Sequence, residues 1–265
     1  MPAIYSEGMA ILAQGNMKGG IFEASLIGTP KVETRESFLS SFPSFEVKSK
    51  HGLPASANMV MISDVWLDRS TVLQKLRTLF EGYCKNRFLP ELFVLMGNFH
   101  SVPLDSLGTN TAAYIEGFEK LAALIDEFPL LQHNSQILLV PGPRDPFDSG
   151  ILPRRAIAPH FIKSLEKFSN VTCTSNPCRI SFYSQEIFVF RHDMLSTIQR
   201  LSLIDGSYDS DELYDMYVQS ILGQGHLSPV PLQMNPVYWK YDYTLRLDVL
   251  PDLVCYCYLL FTSTN

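Results

Sequence analysis

The chain has 265 residues, of which 46% are hydrophobic and 18% are charged, and its formal net charge at pH 7 is −6. This length and composition indicate one large folded domain, or one large and one small domain, and exclude a disordered chain. The acidic balance argues against a surface that wraps nucleic acid through charge alone, and the longest apolar stretch, residues 253–261, is too short to span a bilayer.

The first 57 residues predict a small β-structure followed by a linker. Residues 4–14 and 20–27 are strand candidates around turn signals at Gly15-Asn16 and Gly19-Gly20. Two strands cannot bury a core alone, so this segment is part of a small β-domain or adds strands to a larger one. Residues 38–57 are rich in Ser, Pro and Lys and predict a linker.

From residue 58 the pattern changes to strands that alternate with helices. The apolar runs 58–63, 92–96 and 136–140 predict buried strands, and apolar residues at helical spacing follow the first two runs. Thr71 and Gln74 are spaced as a capping box for the first helix. Continuous apolar strands with intervening helices predict an α/β sheet covered on both faces. The later predicted elements are a helix at 157–168, strands at 171–174, 179–183 and 187–190, a helix at 213–222 and a β-prone stretch at 243–260.

Polar residues follow the predicted strands, where α/β proteins keep their chemistry, and a last polar motif follows the helix predicted at 213–222. The motifs in chain order are Ser63-Asp64-Val65-Trp66, Gly97-Asn98, Gly142-Pro143-Arg144-Asp145, Arg191-His192-Asp193 and Gln224-Gly225-His226. This order resembles the calcineurin-like metallophosphoesterases, which hold two metals with Asp-x-His, Gly-Asp, Gly-Asn-His and later histidines. The resemblance implies an α/β phosphoesterase sandwich from residue 58 onward.

The resemblance also implies that the metal ligands are lost. The indole of Trp66 cannot coordinate a metal, and the amide of Asn98 carries no charge to bridge two cations. Pro143 and Arg144 replace an Asn-His pair, and Arg144 is expected to put a positive charge where the metals would sit. We therefore expect no catalytic residue, no metal and no cofactor. The vestigial cleft positions are Asp64, Trp66, Asn98, Pro143, Arg144, Asp145, His192 and His226.

Seven dispersed stretches resemble the B-subunit family of eukaryotic replicative DNA polymerases, in particular its epsilon members. They read SDVWLD (63–68), GNF (97–99), VPGPRDP (140–146), ILPR (151–154), SNPCRI (175–180), QGHLSPVP (224–231) and NPVYWKYDYTLRL (235–247). The resemblance implies a partial OB-fold segment at 1–37, a linker at 38–57, and an inactivated, C-terminally truncated calcineurin-like phosphoesterase domain at 58–265.

This family resemblance also implies a function and partners. Its members are non-catalytic scaffolds in the nucleus that bind the C-terminal domain of the catalytic subunit, here that of DNA polymerase epsilon. Other replisome proteins are further expected partners, DNA is reached through the complex, and no membrane is involved. Five cysteines without a CxxC pair, and a start without signal-peptide character, agree with reduced thiols in the nucleus or cytosol.

Each singled-out residue also has a plain structural interpretation. Asp64 is expected to cap a helix or turn, His192 to be a hydrogen-bonded surface residue, and His226 to be satisfied by backbone groups in a turn. The aromatic residues Tyr238, Trp239, Tyr241 and Tyr243 are either core or a partner interface, with Asp242, Arg246 and Asp248 as its polar rim.

Three other functions stay open at this point. One is an active metal-dependent phosphoesterase that uses Asp64, Asn98, Asp145, His192 and His226. Another is a DNA-binding module that acts through the N-terminal β-segment. The third is the B subunit of polymerase alpha or delta, although SDVWLD and QGHLSP favour epsilon.

Overall fold

The computed structural model describes residues 3–43, 57–104, 108–146, 150–203 and 209–257. They belong to two compact units. Unit 1 comprises Met1–Lys48, Asp193–Asp252 and Tyr258–Asn265, and unit 2 comprises Ser49–His192 and Leu253–Cys257. These units differ from the segments predicted from the sequence, because each unit combines stretches that are distant in the chain. Residues 44–56 of the predicted linker lie outside the described part.

The secondary structure is a mixture of strands and helices. The strands are β1 (Leu12–Lys18), β2 (Ile21–Gly28), β3 (Met59–Ile62), β4 (Leu92–Met96), β5 (Gln136–Val140), β6 (Val171–Cys173), β7 (Cys178–Phe182), β8 (Gln185–Arg191) and β9 (Leu253–Cys257). The α-helices are α1 (Arg35–Ser41), α2 (Ser70–Asn86), α3 (Thr111–Asp126), α4 (Pro129–Asn134), α5 (Met194–Arg200) and α6 (Ser210–Gln224). None of the helices in the described ranges is long and apolar enough to cross a membrane.

Unit 2 contains a parallel sheet and a second, mixed sheet. The parallel sheet has the strand order β3-β4-β5-β6. In the second sheet β8 pairs antiparallel with β7 and parallel with β9. The predicted α/β alternation is confirmed. The central strand β4 is buried along its whole length, as its continuous apolar sequence predicts.

Side-chain alternation along β4 builds two cores in unit 2. Phe93 and Leu95 pack with residues of α2 and α3 in one hydrophobic cluster. Leu92, Val94 and Met96 point to the opposite face and pack with residues of β7 and β8 in another. Since successive strand side chains face opposite ways, the parallel sheet is covered by helices on one face and by the second sheet on the other.

Two predicted local features of unit 2 are wrong. The capping box at Thr71 does not form, because α2 begins at Ser70 after Arg69 and has no side-chain cap. The helix predicted at 157–168 is replaced by two short 3-10 helices, Pro159–Phe161 and Lys163–Leu165. The apolar residues still reach the core as predicted, since Ile157, Phe161, Leu165 and Phe168 are buried.

In unit 1, the first strand of the hairpin β1–β2 differs from the strand predicted at 4–14. The first strand starts at Leu12 and runs through Gly15, where the register shifts in a bulge. A Cβ on Gly15 would lie 2.1 Å from the backbone oxygen of Glu23, so the close approach of the strands requires glycine. The turn falls only at Gly19-Gly20, and both of these glycines have positive φ.

The chain before the hairpin packs on helix α6 instead of forming a strand. The backbone nitrogen of Ile4 donates to Ser220 Oγ at 2.8 Å, and the same hydroxyl donates to Ile4 O at 3.0 Å. Asp209 caps α6 by accepting from the Glu212 amide. The helix predicted at 213–222 is therefore confirmed.

The β-prone stretch 243–260 forms a strand over only part of its length. β9 spans Leu253–Cys257 and belongs to unit 2. A 3-10 helix, Trp239–Thr244, covers the start of the stretch, and residues 258–260 lie outside the described ranges.

Candidate functional site

Asp64 follows β3 and is surrounded by hydrogen-bond donors. Its carboxylate oxygens lie 2.8 and 3.0 Å from Nη2 of Arg191. Nδ2 of Asn98 donates to it at 3.1 Å, and Oγ of Ser63 donates at 2.9 Å. The expectation that Asp64 caps the next helix or turn is wrong, because its side chain is committed to these three partners.

Arg191 ends β8, and its guanidinium is fully buried. Besides contacting Asp64, its Nε donates to the carbonyl of Gly97 at 3.0 Å and its Nη1 donates to the carbonyl of Cys257 at 3.2 Å. A buried charge is tolerated only with charged or polar partners. Arg191 therefore ties the ends of β3, β4, β8 and β9 together through one cation. We name Asp64, Gly97, Asn98, Asp145 and Arg191 the strand-end cluster.

Asn98 bridges two parts of the strand-end cluster. Its Nδ2 donates to Asp64, and its Oδ1 accepts from the backbone nitrogen of Arg144 at 2.8 Å. The side chain is 1% exposed. An amide serves this position because it donates to a carboxylate and accepts from a backbone N–H at the same time.

Asp145 is buried in the same cluster and accepts three hydrogen bonds. The donors are the amides of Gly142 at 2.7 Å and Phe99 at 2.8 Å and the hydroxyl of Tyr114 at 3.0 Å. Burial raises the pKa of Asp145 to about 6, although these hydrogen bonds and Arg191 act in the opposite direction. A Cβ on Gly97 would lie 1.9 Å from Oδ2 of Asp145, so only glycine fits beside this carboxyl.

The predicted position of Arg144 is wrong. Its side chain is exposed, and only its backbone nitrogen contacts the strand-end cluster, by donating to Oδ1 of Asn98. Arg191 supplies the buried cation instead. Pro143 and Trp66 are half-buried beside their respective turns.

His192 is half-buried instead of lying fully at the surface, and it is hydrogen-bonded as expected. Its Nδ1 lies 2.9 Å from Nη2 of Arg154. Because arginine can only donate, Nδ1 accepts and the proton is on Nε2. Burial, together with the positive charges of Arg154 and Arg191, lowers the pKa of His192 to about 3. The imidazole is therefore neutral.

Sequence reasoning missed two buried residues of this site. Asn176 donates to the carbonyls of Pro141 and Arg191 and accepts from the Arg191 amide, which fixes the backbone beside the buried guanidinium. The sequence signal that could have identified Arg191 is its position at the end of a buried apolar strand. A charged residue there requires a partner of opposite charge, and Asp64 also follows a strand. In the part of the chain that the structure describes, no group of three or more His, Cys, Asp or Glu side chains is arranged to hold a metal ion.

His226 belongs to unit 1 and has its own partners there. Its Nδ1 accepts from the Ser228 amide at 3.0 Å, which confirms the expected backbone contact in a turn. Its Nε2 lies 3.3 Å from Oδ1 of Asp242. Asp242 is buried and also accepts from Nε of Arg246 at 2.7 Å. The prediction of Asp242 as a rim residue is therefore wrong.

The aromatic side chains of residues 238–243, named here the aromatic segment, are exposed. Trp239 is 73% exposed and Tyr243 is 60% exposed, and Tyr238 and Tyr241 are also exposed. The interpretation of these rings as core is therefore wrong. Their interpretation as a partner interface stays a prediction.

Exposed apolar side chains are concentrated in unit 1. Among the described residues, sixteen of the twenty exposed large hydrophobic side chains belong to this unit. Seven of them come from the hairpin and the residue before it: Ile11, Leu12, Met17, Ile21, Phe22, Leu26 and Ile27. Because large exposed apolar surface often marks a binding site, unit 1 is the candidate binding unit of this chain.

Comparison with known proteins gives consistent similarities. The sequence model of the family described as the B subunit of DNA polymerases alpha and epsilon matches residues 59–260. The chain is 34% identical to the B subunit of DNA polymerase epsilon from Arabidopsis thaliana, over 94% of this chain and 51% of that protein. It is 34% identical to DNA polymerase epsilon subunit 2 of Homo sapiens, over 99% of this chain and 52% of that protein.

A fungal relative shows the same relationship. The chain is 30% identical to the B subunit of DNA polymerase epsilon from Schizosaccharomyces pombe, over 94% of this chain and 47% of that protein. The chain thus spans about half the length of the relatives that it matches. On the match to more than half of its residues, the chain belongs to the B-subunit family of DNA polymerases alpha and epsilon.

Proposed function

We propose that this protein is a non-catalytic accessory subunit of DNA polymerase epsilon that acts in chromosomal DNA replication in the nucleus. It would scaffold the holoenzyme by binding the C-terminal domain of the catalytic subunit, with other replisome proteins as further partners and DNA reached through the complex. The observation that carries the proposal is the concentration of exposed apolar side chains in unit 1 of a chain from this family.

The proposal that unit 2 is a non-catalytic phosphoesterase-like domain is supported by the strand-end cluster. We propose that Asp64, Trp66, Asn98, Pro143, Arg144, Asp145 and His192 are positions of a vestigial metal cleft in unit 2. His226, the further position predicted from the sequence, belongs to unit 1. Arg191 holds the carboxylate of Asp64 in a partly buried ion pair. His192 accepts a hydrogen bond from Arg154 at Nδ1, so this ring nitrogen is not free to hold a metal.

We further propose that unit 2 has a calcineurin-like phosphoesterase sandwich and that residues 1–37 are part of an OB fold. The first proposal is supported by helices on one face of the parallel sheet and a second sheet on the other. The second is supported by the exposed, two-stranded hairpin β1–β2, since two strands alone do not make a stable fold. The domain limits at 37, 57 and 58 belong to this proposal.

The experiment is a pull-down of the whole chain with the C-terminal domain of the polymerase epsilon catalytic subunit. We expect stable co-purification, and we expect Trp239→Ala to weaken it by about 2 kcal/mol, or about thirtyfold in Kd. Leu130→Ala is the matched control, because Leu130 is an exposed apolar residue on α4 of unit 2. Circular dichroism checks that both variants fold.

Two results would contradict the proposal. If the wild-type chain does not bind this domain, the assignment of the partner is wrong. If Trp239→Ala folds and binds like the Leu130→Ala control, the partner lies on another surface.

A further inference from the structure

The aromatic segment is a preformed surface because a buried carboxylate fixes it from the inner side. Asp242 is 8% exposed and binds both nitrogen atoms Nε and Nη2 of Arg246 at 2.7 Å. His226 contacts the other oxygen of the same carboxylate. The rings of the neighbouring residues Tyr241 and Tyr243 are exposed around this anchor. A partner therefore meets aromatic side chains on an ordered backbone.

The hairpin and the aromatic segment are joined to the same end of helix α6. The side chain of Gln224 binds both the nitrogen and the oxygen of Ala10, each at 2.8 Å, just before the hairpin. The amide of Leu247 donates to the carbonyl of Gly225 at 2.8 Å, just after the aromatic segment. The backbone next to the hairpin and the backbone next to the aromatic segment are thus both hydrogen-bonded to residues 224–225.

Unit 1 is strongly acidic, whereas unit 2 is not. Among the described residues, unit 1 has twelve Asp and Glu against six Lys and Arg, and unit 2 has eleven against thirteen. Half of the six cations of unit 1 are already in ion pairs: Lys18 with Glu23, Arg35 with Asp252, and Arg246 with Asp242. The apolar surface therefore lies on the acidic unit of the protein.

We propose that the apolar surface of unit 1, including the aromatic segment, binds a basic amphipathic polypeptide segment of a partner protein. Apolar side chains of that segment cover the exposed rings, and its Lys and Arg side chains face the carboxylates of unit 1. Charge complementarity of this kind sets which partner is selected and how fast it associates. An acidic surface disfavours binding of a nucleic acid, because phosphates require clustered cations on the protein. The inference rests on the proposed function only in placing the basic segment in the catalytic subunit.

The test uses Trp239 as a reporter in the whole chain. The protein contains two tryptophans, so Trp66→Phe leaves Trp239 as the single one. The probes are two synthetic peptides without Trp or Tyr that share the same Leu residues, one with Lys and one with Glu at the polar positions. A single-stranded DNA oligonucleotide is the third probe. We expect the basic peptide to move the Trp239 emission to shorter wavelength with a Kd at least about tenfold below that of either other probe.

Charge variants close in sequence to the rings should change the Kd of the basic peptide in opposite directions, which a purely apolar contact would not predict. Lys240 and Asp248 are exposed on either side of the anchor Asp242. Lys240→Glu is expected to tighten binding of the basic peptide about threefold, and Asp248→Lys to weaken it about threefold, with both effects fading at high salt. Glu119→Lys, an exposed charge reversal on α3 of unit 2, is the matched control and leaves Kd unchanged.

The outcomes separate this inference from the proposed function. If the acidic peptide or the DNA shifts the emission as strongly as the basic peptide, or if Lys240→Glu weakens binding of the basic peptide, the inference is wrong. If the basic peptide binds as expected but the catalytic subunit's C-terminal domain does not, the inference stands and the proposed function fails. If that domain binds without sensitivity to Lys240→Glu and Asp248→Lys, the inference fails and the proposed function stands.

Discussion

Nη2 of Arg191 lies 2.8 Å from Oδ1 of Asp64, and the guanidinium of Arg191 is completely buried. The two residues are 127 positions apart in the chain. Their ion pair brings together the end of β3 and the end of β8, and the other nitrogens of Arg191 bind backbone carbonyls at β4 and β9. One internal cation thus organises the edge of unit 2 where strand ends from both sheets meet.

Replacing the buried cation should destabilise the protein strongly. We expect Arg191→Met to lower the free energy of unfolding by about 3–5 kcal/mol, because Asp64 then keeps a charge without its partner. Urea unfolding followed by circular dichroism measures the loss. Arg144→Met is the matched control and should change stability by less than about 0.5 kcal/mol, since the Arg144 side chain is exposed. Equal losses in the two variants would refute the structural role of Arg191.

A carboxylate at position 98 should be unfavourable. Nδ2 of Asn98 donates to Oδ1 of Asp64 at 3.1 Å, so Asn98→Asp places two carboxylates against each other. Repulsion raises the pKa of the new group, and its protonated form can donate to Asp64 as the amide does. We therefore expect a loss of about 1–3 kcal/mol at pH 8 that becomes smaller at pH 5. A deficit independent of pH, measured by urea unfolding, would show that the two side chains do not interact.

The elements of unit 2 were predictable because their sequence patterns are strong. β4 and β5 match the predicted ranges, since buried parallel strands are continuous apolar runs. The register of β1 was not predictable in the same way. The bulge at Gly15 depends on the close approach of Glu23 across the hairpin, and the residues next to Gly15 in the sequence do not predict this approach.

The site was predictable in its location but not in its pairing. The sequence places Asp64, Asn98 and Asp145 after buried strands, and the structure brings these residues together. The sequence does not show which arginine lies in the site. Arg144 is next to Asp145 in the sequence but is exposed, while the buried Arg191 comes from a different sheet. Long-range ion pairs of this kind depend on tertiary packing, which local patterns do not specify.

Asp145 should make the protein less stable as the pH rises from about 4 to about 6. Its pKa is raised from 3.8 to about 6 by burial, so the folded state binds the proton more tightly than the unfolded state. Above pH 6 both states are ionised, and the full cost of about 3 kcal/mol is present; below pH 4 it is absent. We expect the stability of wild type relative to Asp145→Asn to be greater at pH 4 than at pH 7. The same relative stability at both values would contradict the raised pKa.

His192 should act in the opposite direction. Burial and two neighbouring arginines lower its pKa from 6.5 to about 3, so the unfolded state takes up a proton at a higher pH than the folded state does. Its contribution to stability is complete above pH 6.5 and is lost as the pH falls toward 3, with about 2 kcal/mol lost by pH 5. His192→Gln keeps an acceptor for Nη2 of Arg154 but does not titrate. Denaturation curves at pH 7 and pH 5 should therefore show that wild type loses more stability than His192→Gln on acidification, whereas it gains relative to Asp145→Asn over the same interval. Parallel pH profiles for wild type and His192→Gln would mean that the imidazole is protonated in the folded protein, which its hydrogen bond from Arg154 does not allow.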